Sequence, residues 1–358
     1  MIESAKTLII LTPAFTASDE DHWLPSQAAF VKCLNRLHPE LKIIIIAFHF
    51  PKNRGREYIW NGNRVIAFGA GMRGKWSSLL LWTKVWRELK KITSSQRVIG
   101  IFSFFCSESA FIGHHFALRY GLNHKIWIFG QDALANNDQV RRIRPTSDEL
   151  IAISDFLENT FESNHGIRPH HIIPIGLDPN QYPLCPVERD IDLIGVGSLS
   201  PLKHYSIFVE IVKELRNSYP HIKAVIVGDG NELIALKNQM ASYGLEETIQ
   251  FKGAIPPYEV LQIMQRSRIL LHPSSYEGFG MVCLEALYAG TEVISFCRPM
   301  KSPIENWHIA ESKEEMLGFC QKILKQEPTK HSGQLPFNME DTVRDVLKLF
   351  GIGPDSVQ

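Results

Sequence analysis

Short apolar runs recur along the chain, separated by stretches where apolar residues return every three or four positions. Residues 7–11, 42–48, 98–104, 125–129 and 150–154 are of the first kind and predict strands. Residues 24–37 are of the second kind and predict a helix. Most of the runs are apolar throughout instead of alternating, which suits parallel strands covered on both faces. Strands separated by helices imply βαβ units and a doubly wound α/β sheet. The turn-rich stretch at 176–183, with Pro186 just beyond, breaks this rhythm. The rhythm then restarts, with strands predicted at 191–196, 223–227, 248–251, 269–272 and 291–295, and helices at 205–217, 231–243, 258–265 and 281–289. The pattern therefore predicts two α/β domains joined near residue 180. Residues 326–334 are polar and turn-like, and 339–350 read as an amphipathic helix with Val343, Val346, Leu347 and Phe350 on its apolar side.

Length agrees with this division, because 358 residues suit about two domains. Thirty-eight basic and thirty-eight acidic residues cancel, which removes a whole-molecule field for nucleic acid. The longest apolar runs, such as 43–48, are too short to span a bilayer. The N-terminus has Glu3 and Lys6 before a short apolar run and no small-residue cleavage site, so no signal peptide is expected. Six cysteines, at 33, 106, 185, 283, 297 and 320, show no metal or redox spacing. Reduced thiols in a cytoplasm are the expectation.

The chemistry concentrates in His272-Pro273-Ser274-Ser275-Tyr276-Glu277-Gly278-Phe279-Gly280-Met281-Val282-Cys283-Leu284-Glu285-Ala286. This segment follows an apolar strand and enters a helix that ends near Gly290. Gly278 and Gly280 let the backbone approach a ligand closely. The free amides of a helix's first turn then make an anion site. Glu285, one turn into the helix, can accept two hydrogen bonds from a vicinal diol such as that of a ribose. Glu277 can bind hydroxyls of a second, sugar-like group. Read residue by residue, Glu277 as a helix cap and Glu285 as a solvated helix residue remain open.

This segment resembles the signature of retaining glycosyltransferases of family 4, which have the GT-B fold. Gly195-Val196-Gly197-Ser198-Leu199-Ser200-Pro201-Leu202-Lys203, Val225-Ile226-Val227-Gly228-Asp229-Gly230, Phe251-Lys252-Gly253 and Ile173-Pro174-Ile175-Gly176-Leu177-Asp178 resemble other pieces of the family, in its order. The resemblance is specific over 172–296 and only topological over 1–170. It implies an α/β architecture of two Rossmann-like, doubly wound domains facing a cleft. Residues 1–178 would bind the acceptor, and 179–336 would bind a nucleotide-diphosphate-sugar. Residues 337–358 would carry a helix crossing back to the first domain.

By the same resemblance, Glu285 holds the donor ribose and Glu277 the transferred sugar. Backbone at Gly278, Phe279, Gly280, Met281 and Val282 would meet sugar and diphosphate, and Gly197, Ser198 and Gly228 complete the donor side. Lys203 would neutralise the leaving diphosphate, whose charge grows as the glycosidic bond breaks. Glu277 and Lys203 are thus the candidate catalytic pair. The reaction implied is retaining transfer to a glycan, lipid-linked or small-molecule hydroxyl, with no cofactor and no metal.

Departures from the family bear on activity. Ser198 stands where the family has Arg, Ile175 replaces a common hinge Asn, and Gln131-Asp132 stand where the first domain often has a His. Gln131 cannot act as a base, but it can hydrogen-bond a sugar hydroxyl, which makes Gln131 and Asp132 the acceptor-side candidates. A nucleotide-sugar-binding protein or partner subunit that has lost catalysis is the alternative, and a GT-B phosphorylase a third reading.

Other constellations are weaker. Asp19-Glu20-Asp21 and Asp190-Ile191-Asp192 have a spelling that can bind a divalent ion with a nucleotide, but solvated acids suit their context. The His114-His115 and His170-His171 neighbours point apart on a helix and cannot readily share a metal. Gly195-Val196-Gly197 lacks the third glycine of a dinucleotide fingerprint. Residues 52–97 hold eleven Lys/Arg against two Glu, with Trp76, Trp82 and Trp86 interleaved. Such a helix can rest on an anionic membrane or grip a phosphorylated acceptor, or be a core helix with snorkelling lysines. The expected location is the cytoplasm, with peripheral contact at the inner membrane face left open.

Overall fold

A computed structural model describes residues 5–18, 21, 24–52, 57–71, 75–181, 188–327 and 333–353, apart from the side chains of 75–77. Its contacts divide the chain into two compact units, Met1–Asp178 with Phe337–Gln358, and Pro179–Pro336.

The first unit is built on β1 (Lys6–Ala14), which lies between β2 (Lys42–Phe50) and β5 (Arg97–Phe104) and is parallel to both. α1 (Pro25–Leu37) connects β1 to β2. A hairpin of β3 (Glu57–Trp60) and β4 (Asn63–Ala67) follows, and β4 adds to β2. α2 (Lys75–Ser95) leads to β5, α3 (Glu108–Tyr120) to β6 (His124–Ile128), and α4 (Asp138–Ile143) to β7 (Leu150–Ala152). α5 (Asp155–His165) and β8 (His171–Ile172) complete the run. The sheet order is β3-β4-β2-β1-β5-β6-β7-β8, and only the β3–β4 pair is antiparallel.

Strand residues alternate between the two faces of this sheet. Ile9, Leu11, Ile44, Ile46 and Ile101 meet Leu81, Val85, Leu89 and Ile92 of α2 and Ile112 and Phe116 of α3. Leu81, Val85, Leu89 and Ile92 follow a helical spacing, so α2 is a core helix on that side. Phe102 turns the other way. It meets Phe30 of α1, Trp127 of β6 and Phe350, at centroid distances of 5.7, 5.5 and 6.0 Å.

The second unit begins with β9 (Ile191–Val196) and α6 (Tyr205–Ser218), then β10 (Ala224–Val227) and α7 (Leu233–Ser242). It continues through β11 (Ile249–Gly253), α8 (Pro257–Gln265), β12 (Ser267–His272), α9 (Met281–Tyr288), β13 (Glu292–Ser295), β14 (Trp307–Ile309) and α10 (Lys313–Leu324). Its sheet is wholly parallel, in the order β11-β10-β9-β12-β13-β14. Leu193, Ile226, Ile269, Leu271 and Ile294 pack with Phe208, Val212 and Leu215 of α6, Leu236 of α7 and Met316 and Cys320 of α10.

α11 (Met339–Lys348) returns to the first unit. Leu177 and Asn338 form a parallel bridge there, and Gly176 N donates to Thr342 Oγ1 at 3.0 Å. A side chain at Gly176 would run into the Asn338 carbonyl carbon at 2.2 Å, so only glycine fits. The hairpin β3–β4, the short β8 and β14, and α10 are elements the hydrophobic pattern does not predict. Among the described residues no helix is long and apolar enough to cross a membrane. Of the cysteines, 33, 106, 283, 297 and 320 are free, and all but Cys297 are buried; Cys185 lies outside the described residues.

Candidate functional site

β12 ends at His272, and the chain crosses a loop before entering α9 through Gly280, whose φ of 90° is left-handed. The loop is anchored at several points. Ser275 N donates to Leu202 O at 3.1 Å, and Ser274 Oγ donates to Tyr276 O at 3.1 Å. Phe279 is buried, with its ring edge-on against Trp307 at a centroid distance of 6.3 Å. The amides of Gly280, Met281 and Val282 have no hydrogen-bond acceptor among the described residues. They are the unsatisfied first-turn donors expected of a helix start.

The bond from Ser275 to Leu202 draws the 201–203 turn against this loop and places Lys203 beside Glu277. Lys203 Nζ forms an ion pair with Glu277 Oε1, and His272 Nε2 lies 3.0 Å from the same oxygen. Burial pushes the Glu277 carboxyl up. The hydrogen bond and charge of His272, with the ammonium of Lys203, more than offset this and hold it at about 2. Glu277 is therefore an ionised group, paired with the Lys203 ammonium and within hydrogen-bond distance of the His272 imidazole.

Glu285 is the opposite case. It retains some solvent contact, is hemmed in by protein atoms, and has no hydrogen-bond or ion-pair partner among the described residues. Desolvation alone raises its carboxyl to about 7. An ionisable acid without a partner, within reach of solvent, is a candidate for a ligand that brings its own donors.

The glycines at the start of the second unit have distinct roles. A Cβ at Gly228, whose φ is 141°, would lie 1.8 Å from Gly197 O, so this position is glycine for close packing of two turns. Gly197 N donates to Val227 O at 3.0 Å and is not available to a ligand, and a Cβ there would lie 3.3 Å from Tyr205 Oη. Ser198, next to it, is exposed.

In the first unit, Asp132 is buried and accepts hydrogen bonds from Cys106 N, Phe129 N and Gly130 N at 2.8–3.0 Å. Its carboxylate is taken up by the turn, which corrects the expectation of an acid free to meet an acceptor; the adjacent Gln131 is exposed. The Asp190/Asp192 pair is also structural. Asp190 pairs with Arg266 at 2.8 Å, and Asp192 accepts from Lys223 N at 2.9 Å. Asp21 accepts from Ala17 N at 3.0 Å, while Asp19 and Glu20 lie outside the described residues.

His114, His124 and Glu149 bring one potential metal-ligand atom each within 4.8 Å of one another. Both Nδ1 atoms already meet Glu149 Oε1, at 2.7 and 3.0 Å, and Thr146 N donates to Oε2 at 2.8 Å. Hydrogen bonding accounts for this trio as a pin between α3, β6 and the turn before β7. Sequence reasoning missed one residue of this cluster, His272. His272 begins the highlighted segment, five positions before Glu277, and this spacing was its only signal.

Residues 185–304, which contain Gly197, Lys203, His272, Glu277 and Glu285, match the family model described as Glycosyl transferases group 1. A curated relative, the gpi3 subunit of phosphatidylinositol N-acetylglucosaminyltransferase from Schizosaccharomyces pombe, is 29% identical over 127 residues, or 35% of this chain and 28% of that protein. The chain thus matches little more than a quarter of that relative's length. Among solved structures, the pneumococcal O-GlcNAc transferase GtfA in complex with UDP and GlcNAc aligns with a TM-score of 0.66 at 13% identity, covering 96% of this chain and 98% of that one. Anabaena HepE in complex with UDP and glucose aligns with a TM-score of 0.65 at 16% identity, covering 96% and 97%. At these identities the likeness establishes the fold, which is the α/β GT-B fold with its two parallel-sheet domains.

Proposed function

We propose that the protein is a glycosyltransferase that moves a sugar from a nucleoside-diphosphate-sugar to an acceptor hydroxyl, with retention at the anomeric carbon and without a resident metal. The observation that carries this reading is the pairing on one loop and helix of Glu285, a partnerless carboxyl at about 7, with Glu277, an ionised carboxylate at about 2 held by Lys203 and His272. Between them stand the unsatisfied amides of Gly280, Met281 and Val282. A nucleoside-diphosphate-sugar offers a ribose diol, a dianionic bridge and a sugar, and these three groups match the three in the site.

In this reading Glu285 accepts from the ribose diol, and the amides meet sugar and diphosphate. Lys203 faces the leaving phosphate, where charge accumulates as the glycosidic bond breaks. Lys203 starts out paired with Glu277, so an arriving diphosphate shares the ammonium, and the carboxylate is released toward the sugar hydroxyls. The departing phosphate accepts the proton of the acceptor on the same face; no protein nucleophile is assigned. The match of 185–304 to group 1 glycosyl transferases supports the donor half of this scheme.

The acceptor side is proposed for the first unit. A cavity of about 520 Å³ there is lined by Lys52, Lys84, Arg87 and Glu88, together with Ala67, Phe68 and Gly69 at the carboxyl end of β4. α2 also exposes Leu79, Leu80, Lys90 and Lys91. Three cations against one acid suit an acceptor that carries phosphate, free or at an anionic membrane surface. The S. pombe relative, named for a phosphatidylinositol-linked transfer, fits the same chemistry.

The test is a thermal-shift screen of nucleotide-sugars, since a ligand that binds only the folded state raises its stability. Glu285→Ala should then weaken the best donor by about 1–3 kcal/mol in calorimetry, because ribose hydroxyls lose a charged acceptor. Unchanged affinity removes Glu285 from the donor site. Tight binding with neither transfer nor slow hydrolysis favours a catalytically impaired sugar-nucleotide-binding subunit, a reading that exposed Ser198 in place of a cation keeps in play.

A further inference from the structure

β13 and β14 are neighbouring parallel strands, and such a pair needs a crossover connection, usually a helix. Here the crossover is residues 296–306, which form no helix. Pro299 and Pro303 lack the amides a helix would use, and Asn306 takes a left-handed φ of 60°. A helix would lay a row of side chains on the strands. This loop instead leaves a hollow of about 280 Å³ between itself, β14 and α10, at the small end of ligand pockets.

Met300, Ile304, Trp307, Ile309 and Phe319 make the lining largely apolar. His308 also lines it, and Glu292 takes up its Nε2 at 2.8 Å. Arg298 is different. It is exposed, it lines the hollow, and its guanidinium has no hydrogen-bond or ion-pair partner among the described residues. The hollow thus joins an apolar interior to one uncommitted cation.

Trp307 links this place to the donor loop. Its indole nitrogen donates to Ser295 Oγ at 2.8 Å, which fixes the ring. The ring meets Phe279 edge-on, and its Cη2 and Cζ2 atoms lie 3.6 and 3.7 Å from where a Cβ on Gly280 would stand. Trp307 therefore borders both the hollow and the two residues that lead into α9.

We propose that the hollow is an effector site for a small carboxylic acid with an apolar body, and that its occupancy tightens donor binding through Trp307. A carboxylate meets the planar guanidinium with two hydrogen bonds, and one cation balances a monoanion better than a phosphate dianion. The apolar body supplies partner atoms to side chains that otherwise border empty space. Close-packed interiors transmit such support, so an occupied hollow holds the indole against Phe279 and Gly280. The pocket stands by itself, whereas the coupling rests on the donor-site reading above.

The test uses the full chain. Octanoate, 4-phenylbutyrate and indole-3-propionate are titrated by calorimetry, and the alcohol analogue of the tightest acid serves as a neutral control. Arg298→Ala should melt with the wild type, weaken the acid about tenfold or more and leave the alcohol unchanged. Saturating acid should tighten the best of UDP, GDP and ADP about fivefold, and that nucleotide should tighten the acid by the same factor. The proposal is overturned if no acid binds the wild type, or if Arg298→Ala leaves the acid unchanged or weakens acid and alcohol alike. A nucleotide affinity that saturating acid does not alter also overturns it. A wild type that binds the acid through Arg298 but none of the three diphosphates refutes the donor-site reading instead; the coupling then falls with that reading, and the pocket stands.

Discussion

Glu277 and Glu285 are eight residues apart and titrate in opposite directions. Glu277, held at about 2, contributes stability that is present above its unfolded value of about 4.5 and is lost as pH falls from there toward 2. Glu285, raised to about 7, binds its proton more tightly in the folded state, so its contribution declines as pH rises from about 4.5 to 7. In the proposed complex a ribose diol donates to the ionised form of Glu285 and lowers its pKa. Donor affinity should therefore tighten as pH rises through about 7 and level off above it, with release of a proton. Calorimetry in buffers of different ionisation enthalpy measures that release, and a pH-independent affinity would contradict the assignment. The two glutamates were legible in the sequence because their chemistry sits within one short segment. His272 was not, since it meets Glu277 only when the loop folds back on the strand end.

At the scale of elements, the candidate site depends on closely packed turns. The turn after β10 meets the turn after β9 through Gly228 and Gly230, and the turn at 201–203 is tied to the loop after β12 by Ser275. Gly228→Ala places a Cβ 1.8 Å from a backbone oxygen, at a φ of 141° that other residues rarely adopt. It should destabilise the protein by at least about 2 kcal/mol in urea unfolding, through overpacking and backbone strain together. The apolar runs at 7–11, 42–48 and 191–196 were readable because buried parallel strands carry continuous hydrophobic sequence. The hairpin of β3 and β4 was not, because Arg64 and Glu57 pair across an exposed edge and dilute the apolar signal. α10 was overlooked although Ser312 and Glu315 form a legible start, with Glu315 N donating to Ser312 Oγ at 3.2 Å. Its opening Lys-Glu-Glu run and Gly318 obscure the helical period.

For the whole molecule, a net charge of zero conceals an uneven distribution. The cations around the cavity of the first unit belong to residues 52–97, where bases outnumber acids by nine. If this region serves a phosphate-bearing surface, the protein should co-sediment with vesicles rich in anionic lipid and not with neutral ones. The double variant Lys84→Glu, Arg87→Glu should abolish that binding, and salt of about 0.5 M should weaken it. Equal retention on neutral vesicles would assign the interaction to the exposed Leu79 and Leu80 instead. The course of the backbone carries a last consequence. It leaves the first unit at Asp178 and re-enters it at Phe337, and the two crossings run side by side through the Leu177–Asn338 bridge. Topologically the second unit is an insert within the first. A ribosome therefore completes the insert before its host. Until Val343, Val346 and Leu347 emerge, the packing of α11 on α1 cannot form, and the nascent first unit waits with that seam unsealed.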